Sequence, residues 1–230
     1  MKNTCTIVSL VYFYPQLQWV GLNLHRMRKL ALSIVLVCTF SAIGYLFWYQ
    51  EVQYLLPTPV PEDYKVIAPG KIIKYDSLLK PQHHSKPILL HFFNPDCPCS
   101  RFNTKQFYSL QKNYQDKIDF YVVVEGPEKV ARAKELIDTD ITILVDSEEH
   151  LAKVCGVYST PQAAVIQTDN RLYYRGNYNR SRYCTAKESS YVEMALDSIL
   201  ANKQAPHFSE LATRSYGCSL HQEDYIFDLQ

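Results

Sequence analysis

Cys97 and Cys99, separated by one proline in the stretch His91 to Asn103 (HFFNPDCPCSRFN), are the side chains of this sequence best placed to do chemistry. A thiolate attacks disulfides and oxidised thiols, and a pair of thiolates is also a soft ligand set for Cu(I) or Zn. The segment before them, Pro87 to Phe93 (PILLHFF), is continuously apolar and of strand length, the pattern of a strand buried on both faces. A helix is expected from about Ser100 to Asn113, with Phe102, Phe107 and Leu110 as core contacts. Cys97 then stands at a helix start, where unpaired N–H groups and the positive end of the macrodipole favour thiolate over thiol. Asp96 beside it acts in the opposite sense.

On a helix, positions two apart point about 200° from each other. A Cys97–Cys99 disulfide therefore needs a distorted first turn, and strained disulfides are easily reduced. Three chemistries follow. Cys97 attacks and Cys99 resolves, the preferred reading; or Cys97 works as a monothiol with Ser100 nearby and a distant cysteine such as Cys184 resolving it; or the two thiols carry metal together with His83, His84 or His91. His91 sits in the strand pattern and reads as a hydrogen-bonded core residue, whereas His83 and His84 read as solvent-exposed.

Of the other cysteines, Cys38 lies in an apolar run, Cys5 in the leader, and Cys155 at the end of a short helix, where a buried structural thiol is expected. Cys184 and Cys218 fall outside the core elements. In an oxidising compartment they most simply pair with each other and pin the C-terminal tail, with resolution of Cys97 by one of them as the alternative. The loop Asn177 to Arg182 reads as solvated, although it could overlie the thiol.

The elements that must position the thiol come in α/β order. After the first strand and helix, Ile118 to Val124 repeats the buried-strand pattern, and Pro127 to Asp138 is a helix with proline in its first turn. Ile141 to Val145 is a third strand, and Ser147 caps a short helix. Ala163 to Gln167 and Arg171 to Tyr174 form a hairpin about Asp169 and Asn170, and a last helix spans about Ala186 to Asn202, with Tyr191, Met194, Ala195, Leu196 and Ile199 on one face. Tyr158, Tyr173, Tyr174, Tyr178, Tyr183 and Tyr191 read as half-buried packing.

With its buried strand, cysteine-proline motif and following helix, the chain resembles the thioredoxin-like superfamily, most of all the redoxin and membrane-anchored periplasmic thioredoxin types. Gly156 to Ile166 (GVYSTPQAAVI) is similar to the segment in which that family places a cis-proline against the active cysteine. The resemblance covers about Ala68 to Asn202. It implies a central mixed sheet flanked by helices, a cis Pro161 preceded by Thr160, and thiol-disulfide oxidoreductase activity on protein or small-molecule thiols. The motif departs from the family: Cys-Pro-x-Cys falls on Cys97, Pro98, Cys99 and Ser100, so serine holds the usual second cysteine position. Peroxidase chemistry ranks lower, because Asn94, Pro95 and Asp96 lack the hydroxyl that peroxiredoxins place upstream of their cysteine. A Cu(I)- or Zn-binding metallochaperone is the other alternative.

From Leu30 to Trp48 the sequence carries no charge and is about long enough to cross a bilayer. His25, Arg26, Arg28 and Lys29 precede it and no Lys or Arg follows until Lys65, so the positive-inside bias puts the N-terminus in the cytoplasm. The expected organisation is a leader over 1–29, with Met27 an alternative start, an uncleaved anchor over 30–48, a proline-bearing tether over 49–67, a thioredoxin-like domain over 68–202 and a tail over 203–230. In a bacterial envelope this makes a single-pass inner-membrane protein facing the periplasm, with thiol or disulfide proteins and an electron donor or acceptor as partners. A net charge of +1 without blocks of like charge excludes a nucleic-acid partner, and no cofactor or metal set is assigned.

Overall fold

The computed structural model describes residues 8–50, 56–75, 79, 85–137, 140–181 and 186–220, with side chains described from residue 25 onward. The chain divides into two compact units, Met1–Gln53 and Tyr54–Gln230. The first is one helix, α1 (Val8–Gln50), of which His25–Tyr49 is long and apolar enough to cross a membrane. That stretch of 25 residues spans about 37 Å at the rise of an α-helix, and none of it is buried against protein.

The second unit is built on strands β1 (Ile88–Phe92), β2 (Asp119–Val124) and β3 (Thr142–Val145), with β4 (Ser159–Thr160), β5 (Gln162–Ile166), β6 (Leu172–Gly176) and β7 (Cys218–Ser219) following. Helices α2 (Pro98–Tyr114), α3 (Val130–Ile137), α4 (His150–Cys155), α5 (Tyr191–Leu200) and α6 (Glu210–Thr213) connect or flank them. The main sheet runs β3-β2-β1-β5-β6, with β1, β2 and β3 parallel and β5 and β6 antiparallel to their neighbours. This mixed five-stranded sheet, helices on both faces and a cis-proline at the entry to β5 make a thioredoxin-like fold.

Alternation along β1 explains why its whole run is apolar. Leu89 and the following Phe93 point into a cluster with Phe107, Leu110, Val192 and Leu196, while Ile88, Leu90 and Phe92 point into a second cluster with Leu151, Ala152 and Cys155. His91 belongs to the first face. It is fully buried, shares a 2.7 Å hydrogen bond between Nδ1 and the Tyr178 hydroxyl, and stacks on Phe107 at 4.3 Å.

Several sequence expectations are corrected locally. Phe102 is 55% exposed, because α2 turns its Phe107 and Leu110 face to the sheet instead. Ser147 does not cap α4. The helix begins at His150, and the Asp146 carboxylate accepts from the N–H groups of Leu151 at 3.0 Å and Ala152 at 2.9 Å, a shift made available by left-handed Glu149. The last long helix divides into a 3-10 turn, Lys187–Ser189, and α5, and Met194 is exposed, outside the buried face formed by Tyr191, Val192, Ala195, Leu196 and Ile199. Asn177, Tyr178 and Asn179 are buried rather than solvated, and so are Tyr158, Tyr173, Tyr174 and Tyr191. Tyr183, His83, His84, Cys5 and Cys184 lie outside the described residues.

Candidate functional site

Strand β1 delivers the chain through Asn94, Pro95 and Asp96 to Cys97, which is the N-cap residue of α2, with Pro98 as its first helical residue. The turn is fixed by its own polar groups. Asn94 Oδ1 accepts from Asp96 N–H at 3.0 Å, and Ser100 Oγ accepts from Asn94 N–H at 3.3 Å. Ser100 is thus buried and engaged in holding the strand-to-helix turn. Asp96 points outward and pairs with Arg132 at 3.4 Å. Asn94 Nδ2 donates at 3.2 Å to Glu125, whose carboxyl is raised above the ordinary range by burial, against the opposing effect of Lys129.

Across from α2, the Thr160–Pro161 peptide is cis, as the resemblance implies. The backbone carbonyl of Thr160 lies 3.7 Å from Cys97 Sγ, so the two motifs that are far apart in sequence meet at one sulfur.

Cys97 is disulfide-bonded to Cys218, with a Cα–Cα distance of 6.0 Å. Neither a Cys97–Cys99 bridge nor a Cys184–Cys218 bridge is present in this arrangement. The reason is geometric: Cys99 lies two positions into the helix and turns its thiol into the protein, where it is buried, whereas the returning C-terminal segment brings Cys218 directly over the N-cap. Cys155 is also buried, and burial pushes its thiol far up, out of reach of exchange chemistry.

Cys218 arrives on β7, which pairs antiparallel with β4 in the register Ser159 to Ser219 and Thr160 to Cys218. The rest of the segment is fastened at several points. Asn177, fully buried at the end of β6, donates from Nδ2 to the carbonyls of Leu211 at 3.0 Å and Arg214 at 2.7 Å, and its N–H donates to Ala212 at 2.7 Å. Arg175 donates to the Thr213 carbonyl at 3.0 Å. Tyr158 holds both ends: its hydroxyl accepts from Ser215 N–H at 3.4 Å and its carbonyl from Leu220 N–H at 3.0 Å.

Gly217 has φ +118, and a Cβ there would collide with the Thr160 carbonyl oxygen. Only glycine lets the strand come this close. As a result Cys97 is 1% exposed, while Cys218 is only partly buried. Tyr158 and Gly217 are not among the site candidates from sequence, and Asn177 enters there only as the start of a loop read as solvated; the signal for Gly217 is its place immediately before a cysteine in SYGCS.

Among the described residues, no group of three or more His, Cys, Asp or Glu side chains is placed to hold a metal. His91 is turned away to Tyr178, and burial lowers its imidazole to about 3, so it is neutral.

A family profile described as "Domain of unknown function (DUF6436)" matches residues 71–220. No curated protein matches the sequence. Among solved structures, a hypothetical protein from Sinorhizobium meliloti is similar at 18% identity and a TM-score of 0.57, over 68% of this chain and 96% of that one. An uncharacterized conserved protein from Geobacillus kaustophilus is similar at 18% identity and a TM-score of 0.58, over 73% of this chain and 99% of its own. These likenesses speak to fold.

Proposed function

This chain belongs to the DUF6436 family, and from that premise we propose that it is a membrane-anchored thiol-disulfide oxidoreductase in which Cys97 and Cys218 form the redox pair. The observation that carries the reading is the disulfide at the N-cap of a 17-residue helix, set against Thr160 and cis Pro161. A thiol at that place, once reduced, gains thiolate character from the helix terminus.

Accessibility supports one order of events. An incoming thiolate meets the partly exposed sulfur of Cys218 before the enclosed sulfur of Cys97, and attack there expels Cys97 as thiolate, the leaving group that the helix stabilises. A new disulfide joins the donor to Cys218. A second donor thiolate attacks the donor sulfur of that bond and releases the Cys218 thiolate, so a dithiol donor is oxidised and the pair has gained two electrons. In the other half of the cycle, the Cys97 thiolate attacks a substrate disulfide and expels one substrate thiolate. Cys218 then attacks Cys97, restoring the intramolecular bond and releasing the second substrate thiolate.

The substrates in this reading are proteins or small molecules carrying thiols or disulfides. The segment Ser209 to Leu220 works as a tethered resolving arm, in place of the second cysteine that the local motif lacks. Cys99, two positions into the helix and buried, does not resolve Cys97 in this reading. The apolar stretch His25–Tyr49 anchors the protein in a single pass in the inner membrane, with the redox unit on the periplasmic side as the charge bias directs. That compartment is oxidising enough to keep a Cys97–Cys218 bond formed in the resting state.

The test is turnover of a model disulfide with a thiol reductant by the full chain in nanodiscs. Cys97→Ser abolishes turnover on this reading, and Cys218→Ser lowers it at least tenfold while leaving a reactive Cys97 thiol. Turnover retained in Cys97→Ser ends the proposal.

A further inference from the structure

The same unit carries a half-open cavity of about 480 Å³, lined in part by Tyr158 and within the size range of small-ligand sites. Its floor is apolar. Ile67 and Val157 are buried in it, Tyr64 and Tyr158 meet edge to face with ring centroids 4.7 Å apart, and Ile72 stands at the mouth with 53% of its surface exposed. The tyrosine hydroxyls are engaged within the protein: that of Tyr64 donates to the carbonyl of Gly156, which also lines the cavity, at 3.0 Å, and that of Tyr158 accepts from Ser215 N–H at 3.4 Å.

The rim is basic. Lys65, Lys71, Lys74 and Lys153 line the cavity with exposed side chains. Asp63 is the single carboxylate residue among the lining, and Lys153 is in addition paired to Glu149 at 3.5 Å. An apolar floor takes a chain or ring from water at about 25 cal/mol per Å² of apolar surface buried. A cluster of ammonium groups at its edge favours negative charge at the mouth, and lysine, as a flexible point charge, accepts carboxylate or phosphate without demanding a fixed fork geometry.

We infer that this cavity is a binding site for an amphiphilic anion, whose apolar chain lies on Ile67, Val157 and the tyrosine pair and whose anionic head is held by Lys65, Lys71, Lys74 and Lys153. This goes beyond the redox reading, which does not need it. A neutral apolar ligand of the same size leaves the lysines unused, and a small inorganic anion leaves the floor wet. Both parts are required.

The experiment uses the full chain in nanodiscs of zwitterionic lipid, with anilinonaphthalene sulfonate as the fluorescent probe and empty nanodiscs as the blank. Octanoate displaces the probe at least tenfold more effectively than octanol, and inorganic phosphate fails to displace it. Exchanging the zwitterionic lipid for one containing an anionic lipid separates the two sources of such a ligand: displacement of the probe by the disc itself assigns the site to a lipid, and its retention assigns the site to a free amphiphile. The double variant Lys71→Glu, Lys74→Glu weakens octanoate at least tenfold. Its content of the Cys97–Cys218 bond, read by mass, reports whether the unit is folded, and Ile72→Glu at the exposed mouth replaces it if that bond is lost. Equal displacement by octanoate and octanol, displacement by phosphate alone, or undiminished octanoate binding in the folded variant overturns the inference.

Discussion

Thr160 serves both halves of the disulfide: its carbonyl lies 3.7 Å from Cys97 Sγ, and its backbone faces Cys218 across the β4–β7 ladder. One residue before the cis-proline thus seats the thiol of α2 and the strand that covers it. The covering strand, β7, belongs to the same chain, so the accessible state of Cys97 is linked to the release of that strand.

The clearest consequence concerns Gly217. Gly217→Val places a Cβ against the Thr160 carbonyl and imposes a backbone conformation that valine rarely adopts. The strand then seats poorly, and reduction of the Cys97–Cys218 bond by dithiothreitol, followed by alkylation and mass measurement, is accelerated about tenfold or more.

Breaking the bond itself has a stability cost set by loop length. The two cysteines are 121 residues apart, and closing a loop of that size constrains the unfolded chain by roughly 5 kcal/mol in the chain-entropy account. Cys218→Ser is expected to lower the denaturant midpoint accordingly, and adding reductant to the unaltered protein should produce a shift of similar size.

How much of this was legible beforehand depends on range. The buried strands, the helix start at Cys97 and the cis-proline segment are local patterns, and the sequence shows each within a few residues. The pairing of Cys97 with Cys218 is not local. Nothing in the period of residues 203–220 declares that it returns to the sheet, because its attachment rests on backbone carbonyls received by Asn177 and Arg175 and on close approach at Gly217. Asn177 reads as a loop residue for the same reason: the carbonyls of Leu211 and Arg214 to which its amide donates are main-chain atoms, which carry no residue-type signature. Ser147 is the cap expected from sequence, whereas the left-handed turn at Glu149 starts the helix later and gives that role to the Asp146 carboxylate.

His91 provides a pH dependence with a definite sign. Its folded imidazole titrates near 3 because burial disfavours the charged form, whereas the unfolded chain takes up the proton near 6.5. Between those values the unfolded state binds more protons, so stability falls as pH falls, by about 1.4 kcal/mol per pH unit. Unfolding curves of the unaltered protein and His91→Phe should diverge in slope below pH 6.5; parallel curves contradict a neutral, buried His91.

Asp146 is expected to matter more than its exposed acidic neighbours. Asp146→Ala leaves two N–H groups at the start of α4 without their acceptor and should cost about 2 kcal/mol, read from the shift in denaturant midpoint.

Cys99→Ala separates the two resolving schemes. On the present account it leaves the Cys97–Cys218 bond formed and thiol-disulfide turnover within about twofold of the unaltered chain, whereas a resolving Cys99 makes the same change at least tenfold damaging.

The most direct test of the central claim is a redox titration of the full chain against glutathione, with each point quenched by alkylation and mapped by mass spectrometry. The account predicts one two-electron transition in which the Cys97 and Cys218 peptides are linked when oxidised and both alkylated when reduced. A bond that glutathione leaves untouched across the titration, or Cys97 linked instead to Cys99 or Cys184, contradicts it.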